Sequence, residues 1–318
     1  MGDRTLTVRV TRIARQTPEI LSFELSHPYG RPLPAYDAGA HIDVYTPGGF
    51  MRQYSLARAP GDAHAPYVIG IKHEAAGRGG SAAMHARVRE GDLLAISAPR
   101  NTFPLRMPAR RHVLLAGGIG LTPMLAMAQA LAAQAVPFTL CVFARGRAHL
   151  AFADALADPA LAPHVQLHLD DDAAHRIDLR TLLAAQAPGA HLYACGPAGF
   201  MDAVRSAAAG WPEDAFHVEY FAAPTSAGGS GGKPFTLRLA QRGIDVPVAA
   251  DQSAVDALHD VGIDIPVSCE QGLCGTCVVD AEGAGAEHRD FCLTATERAG
   301  KVALCCARAK DDVLVLRL

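Results

Sequence analysis

Ser268-Cys269-Glu270-Gln271-Gly272-Leu273-Cys274-Gly275-Thr276-Cys277 is the stretch whose reading decides the fold. Its three cysteines stand at C-x4-C-x2-C spacing, with glycines between them. That is the spacing of three thiolates on a plant-type [2Fe–2S] cluster, which takes a fourth cysteine from far along the chain. Thiolates are soft ligands suited to iron in an all-sulfur environment. Glycines let a short loop wrap such a group, because they carry no side chain and tolerate positive φ. The backbone N–H groups thus freed can point at the sulfurs. Cys305 and Cys306 lie downstream and offer the fourth ligand. Two other readings compete. A structural zinc site favours paired C-x2-C modules, and one C-x2-C is present. A disulfide framework suits small secreted domains, and Met1-Gly2-Asp3-Arg4-Thr5 shows no apolar segment of the signal-peptide kind.

A chain of 318 residues has room for about two or three domains. A net charge of −3 gives no nucleic-acid footprint, and no apolar run is long enough to span a bilayer. Eight cysteines without a secretion signal point to the reducing cytoplasm and to metal ligation. Cys141 and Cys195 lie in apolar, strand-like runs and read as core residues on that ground alone. Cys292 has no assignment. The fourteen histidines show no metal spacing.

From Thr5 to about Met107 the pattern has period two. Leu6, Val8 and Val10 alternate with polar residues, as in a half-buried strand. Ile20–Leu25, His41–Tyr45 and Tyr67–Lys72 are further short strands, separated by turns such as Pro47-Gly48-Gly49 and Pro60-Gly61-Asp62. This predicts an antiparallel β-barrel or sandwich. Two motifs mark it. In Arg52-Gln53-Tyr54-Ser55-Leu56, arginine supplies a fork that matches a phosphate, tyrosine a flat face for a ring, and serine a short hydroxyl. In Gly77-Arg78-Gly79-Gly80-Ser81, glycines precede a helix whose N-terminus favours an anion, with Ser81 as the expected N-cap. Alone, the first reads equally as an edge strand and the second as a loop; together they point to a flavin.

These motifs resemble the flavin domain of the ferredoxin–NADP reductase superfamily, and more narrowly the phthalate dioxygenase reductase and vanillate demethylase reductase family. The resemblance implies FMN, held by Arg52, Tyr54, Ser55, Arg78, Gly79, Gly80 and Ser81.

His112-Val113-Leu114-Leu115-Ala116 is a continuous apolar run, as in a buried parallel strand. Gly117-Gly118-Ile119-Gly120-Leu121-Thr122-Pro123 follows, then the strong helix former Met124–Leu131. Strand, glycine turn and helix are the context of a dinucleotide site, although the third glycine of G-x-G-x-x-G is missing. Phe138–Phe143 and Leu192–Cys195 read as further strands. The second ends in Gly196-Pro197-Ala198-Gly199-Phe200-Met201, at the strand end where open α/β sheets bind ligands. Both glycine motifs resemble the pyridine-nucleotide half of the same superfamily. That resemblance implies an NADH site at Gly117, Gly118, Gly120, Thr122, Cys195, Gly196 and Pro197, with the nicotinamide near Thr122 and Cys195. It places Phe221 beside the flavin; a core residue at a domain boundary is the other reading. Arg145 and Arg147 could accept a 2′-phosphate or lie in a solvated loop; the family favours NADH. Asp170-Asp171-Asp172 reads as a solvated turn.

Residues 222–232, rich in Gly, Ser and Ala, read as a flexible tether. Phe235–Leu239 and Val246–Ala249 suggest a hairpin, and Ser253 an N-cap. The remainder resembles a plant-type ferredoxin, whose Cys-x-Ser-Arg pattern puts Cys305 in register as the fourth ligand with Cys269, Cys274 and Cys277. Ala307 departs from that pattern. If the segment is a strand, Cys306 faces away. The expected architecture is multidomain: an antiparallel β-barrel flavin domain (1–107), an α/β parallel-sheet nucleotide-binding domain (108–222), a linker (223–233) and an α+β ferredoxin-like [2Fe–2S] domain (234–318).

The three sites have a chemical logic. A nicotinamide gives two electrons at once, a [2Fe–2S] cluster takes one, and a flavin does both. A plant-type cluster near about −400 mV can reduce a Rieske centre. The sequence therefore predicts the reductase component of a Rieske aromatic oxygenase or demethylase, with no catalytic acid, base or nucleophile, and for which a monomer suffices. A cytochrome P450 or another metal oxygenase is the alternative acceptor. A redox sensor without turnover is a rival from another class, which three cofactor motifs in one chain disfavour. No substrate-pocket motif supports a stand-alone flavin hydroxylase.

Overall fold

The computed structural model describes residues 5–75, 77–184, 188–221, 232–283 and 285–318. The chain divides into two compact units, Met1–Phe221 and Ala222–Leu318. Residues 222–231, most of the expected tether, lie outside the described residues.

The first unit opens with β1 (Leu6–Arg15), β2 (Ile20–Ser26), β3 (His41–Thr46), β4 (Phe50–Ser55), β5 (Tyr67–Lys72), α1 (Gly80–Arg87) and β6 (Leu93–Ile96). The strands pair antiparallel in the order β4-β3-β6-β1-β2-β5. The two edges then meet: Leu56 bridges Ile69, and Ala57 N–H donates to Val68 O at 2.8 Å. The sheet is thus a near-closed barrel. Alternation explains its inside: Val8 and Val10 are buried while Thr7 and Arg9 are exposed, and Phe23, Leu25, Ile42, Val44, Ile69 and Ile96 complete the core. Met84 of α1 is buried in that same core.

An α/β half follows, with β7 (Arg111–Gly117), α2 (Leu121–Ala133), β8 (Phe138–Ala144), α3 (Ala153–Leu156), β9 (Val165–Leu169), α4 (Leu179–Ala184), β10 (Ala190–Cys195), α5 (Ala198–Ala207) and β11 (Phe216–Glu219). The five strands are parallel, in the order β11-β10-β7-β8-β9. Strand order reverses between β7 and β10, so their carboxyl ends flank the crevice where such sheets bind ligands. Helix α2 is apolar on all sides, the mark of a buried helix. It packs on the sheet through residues such as Leu114 and Leu140, and shares one core with Ile20, Ala57, Val68 and Phe103 from the barrel side.

The second unit contains β12 (Phe235–Leu239), β13 (Ile244–Val248), α6 (Ala254–Asp260), β14 (Val278–Asp280), β15 (Ala286–Glu287), β16 (Lys301–Ala303), β17 (Arg308–Ala309) and β18 (Val313–Leu316). Strand β12 pairs antiparallel with β13 and parallel with β18. Ser253 caps α6 through a capping box with Asp256, and Ala254, Ala257 and Leu258 fill the core beneath the sheet. Arg308 is buried. Its guanidinium donates to the carbonyls of Gln252, Lys233 and Ala249 at 2.7, 2.6 and 3.0 Å and lies over the Phe235 ring. No helix among the described residues is long and apolar enough to cross a membrane.

On one face of the parallel sheet, His112, His191 and His217 form a row, with His191 Nδ1 and His217 Nε2 2.9 Å apart. Burial, and then the neighbouring His191, push His217 down to about 4. Burial and Arg100 do the same for His41 in the barrel. Both are bases held neutral by the fold, so between about pH 4 and their ordinary value of 6.5 the unfolded chain binds more protons. Stability is therefore lost as pH falls through that window. The thermal midpoint of the first unit is expected to drop steadily from pH 7 to pH 4.5, less so in His217→Gln; a midpoint flat across this range would contradict the assignment.

Candidate functional site

The two barrel motifs meet in the structure. Arg52 and Tyr54 share one face of β4 because alternate strand residues do. Gly79, at φ +89°, turns the chain into α1 and serves as its N-cap. A Cβ on Gly80 would lie 2.7 Å from Arg52 Cγ, and one on Gly79 would lie 3.1 Å from the Phe50 ring. Only glycines let the helix start come this close to β4. Arg52 also donates to the carbonyls of Met51 (2.7 Å) and Arg78 (3.4 Å). The N-terminus of α1 has no side-chain cap, so its first N–H groups and the Arg52 guanidinium make a cradle suited to a phosphate. Ser81 is not the cap that the sequence suggested. It lies inside the helix, and its hydroxyl accepts the Glu74 N–H at 3.1 Å. Burial holds the Tyr54 phenol well above its ordinary pKa.

Two glycine motifs meet at the switch point. A Cβ on Gly120 would run into the Cys195 carbonyl; one on Gly196 would strike Phe200 Cδ1 at 2.5 Å, with Gly117 Cα 3.0 Å away. The ends of β7 and β10 thus touch backbone to backbone and form a glycine shelf, against which the Phe200 ring packs. Gly118, at φ +54°, faces open space. Thr122 is buried and donates to Ile119 O at 3.1 Å, and its methyl would lie 2.9 Å from a Cβ on Gly70 of β5. The barrel therefore comes against the start of α2 through a missing side chain. Pro197 is the N-cap residue of α5. Phe221 is 40% exposed, so it is not a core residue.

One polar contact here was not foreseen. Ser55, at the end of β4, donates to Glu219 Oε2 at 3.2 Å, and Glu219 is the register partner of Cys195. Glu219 is half-buried; burial pushes its pKa up to about 8, against the Ser55 bond, which lowers it. Burial, and next Glu219, push the Cys195 thiol far up, so it stays protonated. Three side chains from three strands thus join the barrel motif to the shelf. Arg145 is not placed as a simple phosphate acceptor: its guanidinium pairs with Glu19 at 2.9 Å. A Cβ on Gly146, beside it, would collide with the Asp171 carboxylate.

In the second unit the loop 268–277 turns through left-handed conformations at Glu270 (φ +55°), Gly272 (+72°) and Gly275 (+73°). This aims backbone N–H groups at sulfur. Cys269 Sγ accepts from Gln271, Leu273 and Cys274 at 3.3–3.4 Å, Cys274 Sγ from Thr276 at 3.4 Å, and Cys305 Sγ from Gly272 at 3.2 Å. The thiols are apposed in two pairs, Cys269 with Cys274 and Cys277 with Cys305. Among the described residues no three His, Cys, Asp or Glu side chains gather about one point as a site for a single ion. Two thiol pairs with N–H donors at their sulfurs fit two irons that each take two thiolates. The bond between Cys269 and Cys274 lowers the pKa of Cys274 and raises that of Cys269. Cys305 and Cys306 stand in a turn rather than a strand, so strand alternation does not separate them. What distinguishes them is their partners: Cys305 meets Cys277 and the Gly272 N–H, while Cys306 Sγ lies beside Cys305 and donates to Ala303 O at 3.7 Å.

Residues 237–310 match the 2Fe-2S iron-sulfur cluster binding domain, and residues 97–215 match the N-terminal domain of dimethylamine monooxygenase subunit DmmA-like proteins. Vanillate O-demethylase oxidoreductase from Pseudomonas sp. (strain HR199 / DSM 7063) is 44% identical over 305 residues, which cover 94% of this chain and 96% of that one. Phthalate dioxygenase reductase, a solved modular structure for electron transfer from pyridine nucleotides to [2Fe–2S], aligns with a TM-score of 0.75 at 37% identity, over 99% of this chain and 98% of its own. An intact type IV self-sufficient cytochrome P450 monooxygenase aligns with a TM-score of 0.85 at 37% identity, over 99% of this chain and 41% of its own.

The shelf gives a direct test. Gly120→Ala must separate the ends of β7 and β10, and misplacement by about 1 Å costs on the order of a hundredfold in a positioned reaction. Stopped-flow reduction by NADH should slow accordingly while bound flavin is retained; wild-type rates would show that the close approach has no functional part.

Proposed function

Because the chain belongs to the family of phthalate dioxygenase reductases and vanillate O-demethylase oxidoreductases, we propose that it is the reductase component of a two-component Rieske aromatic oxygenase or demethylase. It takes electrons from NADH and delivers them, by way of FMN and a [2Fe–2S] cluster, to a Rieske-type terminal oxygenase. The observation that carries this reading is the pairing of the four thiols with N–H donors at their sulfurs, in the same chain as a glycine shelf and a phosphate cradle. Residues 1–107 are assigned to FMN, 108–222 to NADH, 223–233 to a tether and 234–318 to the cluster. None of the eight cysteines forms a disulfide among the described residues, which suits the reducing cytoplasm.

FMN, when bound, supplies the exchange between two-electron and one-electron chemistry, and the cluster supplies one-electron storage at low potential. The chain's own residues bind, orient and exclude water. Arg52, with Arg78, Gly79, Gly80 and Ser81 at the start of α1, holds the phosphate. Tyr54, Ser55 and Phe221 border the ring. Gly117, Gly118, Gly120, Thr122, Cys195, Gly196 and Pro197 form the shelf for the nicotinamide nucleotide. Cys195 stays a thiol and Glu219 keeps its proton up to about pH 8, so neither brings a negative charge to the crevice at neutral pH. Cys269, Cys274, Cys277 and Cys305 are the iron ligands.

The alignment with the self-sufficient P450 favours one second reading, a cytochrome P450 as the acceptor. Purified protein should oxidise NADH steadily with cytochrome c as surrogate acceptor, and should reduce a Rieske oxygenase faster than a P450. No turnover with cytochrome c would end the reductase reading; preference for the P450 would move it to the second. Cys305→Ser should lose the iron and the visible cluster absorption, whereas Cys306→Ser keeps both; the reverse would exchange the fourth ligand.

A further inference from the structure

The Gly272 N–H lies 3.2 Å from Cys305 Sγ, nearer than the 3.3–3.4 Å of the N–H groups on Cys269 and Cys274. The surroundings of the Gly272 peptide fix it from the far side. Its carbonyl accepts the Phe291 N–H at 2.8 Å. A Cβ on Gly272 would lie 2.9 Å from Asp290 Cα and 2.6 Å from Cys306 Sγ, so the loop and the 288–293 segment are pressed together.

That segment is shaped by one carboxylate. The side chain of Asp290 has no exposed surface. Oδ2 accepts the Leu293 N–H at 3.0 Å, closing a turn of the kind that Asp side chains make with nearby backbone. Oδ1 stands 3.2 Å from His288 Nδ1. Arg298 Nη2 reaches Oδ2 at 3.4 Å and the Asp290 carbonyl at 2.6 Å. Arg298 is in turn set by a short helical turn that Thr294 and Glu297 close on each other, through Thr294 N–H and Oγ1 to Glu297 Oε2 at 3.0 and 2.8 Å. No residue of this network belongs to the C-x4-C-x2-C motif.

We propose that Asp290 is a positioning residue for the iron–sulfur site. Clamped by Arg298, it presents the Phe291 N–H to Gly272 and so holds the Gly272 N–H on the Cys305 sulfur. The inference rests on the [2Fe–2S] reading above. Hydrogen bonds to cluster sulfurs are among the determinants of reduction potential, and they favour the reduced, more negative state. The two roles open to a buried carboxylate then differ in sign. As a bare negative charge, Asp290 would lower the potential, and its removal would raise it. As a positioning residue it sustains an N–H···S bond, and its removal lowers the potential.

The test is a redox titration of the full chain, followed by EPR, for wild type, Asp290→Ala and Asp290→Asn. Asparagine keeps an acceptor for Leu293 without the charge. The expected result is a potential below wild type for Asp290→Ala, and one at or above wild type for Asp290→Asn. Failure of Asp290→Ala alone to assemble a cluster, with Asp290→Asn loading normally, supports the same conclusion. A potential unchanged or raised in Asp290→Ala, or equal disruption by both substitutions, overturns it. Absence of a [2Fe–2S] signal from the wild type would instead overturn the reading beneath it.

Discussion

Close approach to bare backbone, permitted by the absence of a Cβ, is the constraint on which this molecule depends. It recurs at each site. Gly80 admits Arg52 beside the start of α1, Gly120 admits the Cys195 carbonyl, Gly70 admits Thr122, and Gly272 admits Asp290. In each case two segments distant in the chain come within contact distance at a point where alanine would already collide. The chemistry to be hosted explains the demand. Backbone groups can serve a phosphate or a sulfur only where the main chain can reach it.

Around those points the packing is ordinary. Helix α2 supplies the adhesive in the first unit, because its apolar surface serves the sheet and the barrel side together. The crevice at the switch point is therefore built on a continuous core, and Ser55, Cys195 and Glu219 meet across it with defined geometry. The second unit has its own core, with the sulfur loop laid over it through Cys277, Cys305 and Cys306.

Much of this was legible in the residues. Period-two patterning placed β1, β2, β3 and β5, and continuous apolar runs placed β7, β8 and β10, because burial on one face or two dictates those patterns directly. The cysteine spacing marked the iron site, since ligand geometry limits how far apart thiolates may stand. What escaped has a common cause. Glu219 meets Ser55 across 164 positions, and Asp290 meets Gly272 from outside the motif; pattern along a chain carries no trace of such encounters. The N-cap fell to Gly79 instead of Ser81, because the turn required positive φ, and that outweighed a side-chain cap. Cys305 and Cys306 occupy a turn, where strand alternation has no force.

The buried Arg308 carries an implication of another kind. Three carbonyls converge on its guanidinium, and an aromatic ring covers it. A planar fork can serve such an arrangement, whereas a lysine ammonium, a compact point charge, cannot reproduce that spread of donors or stack on the ring. Lysine or any smaller residue in its place would surrender the whole gathering of chain segments at once. Natural variants of the chain should accordingly keep arginine at 308.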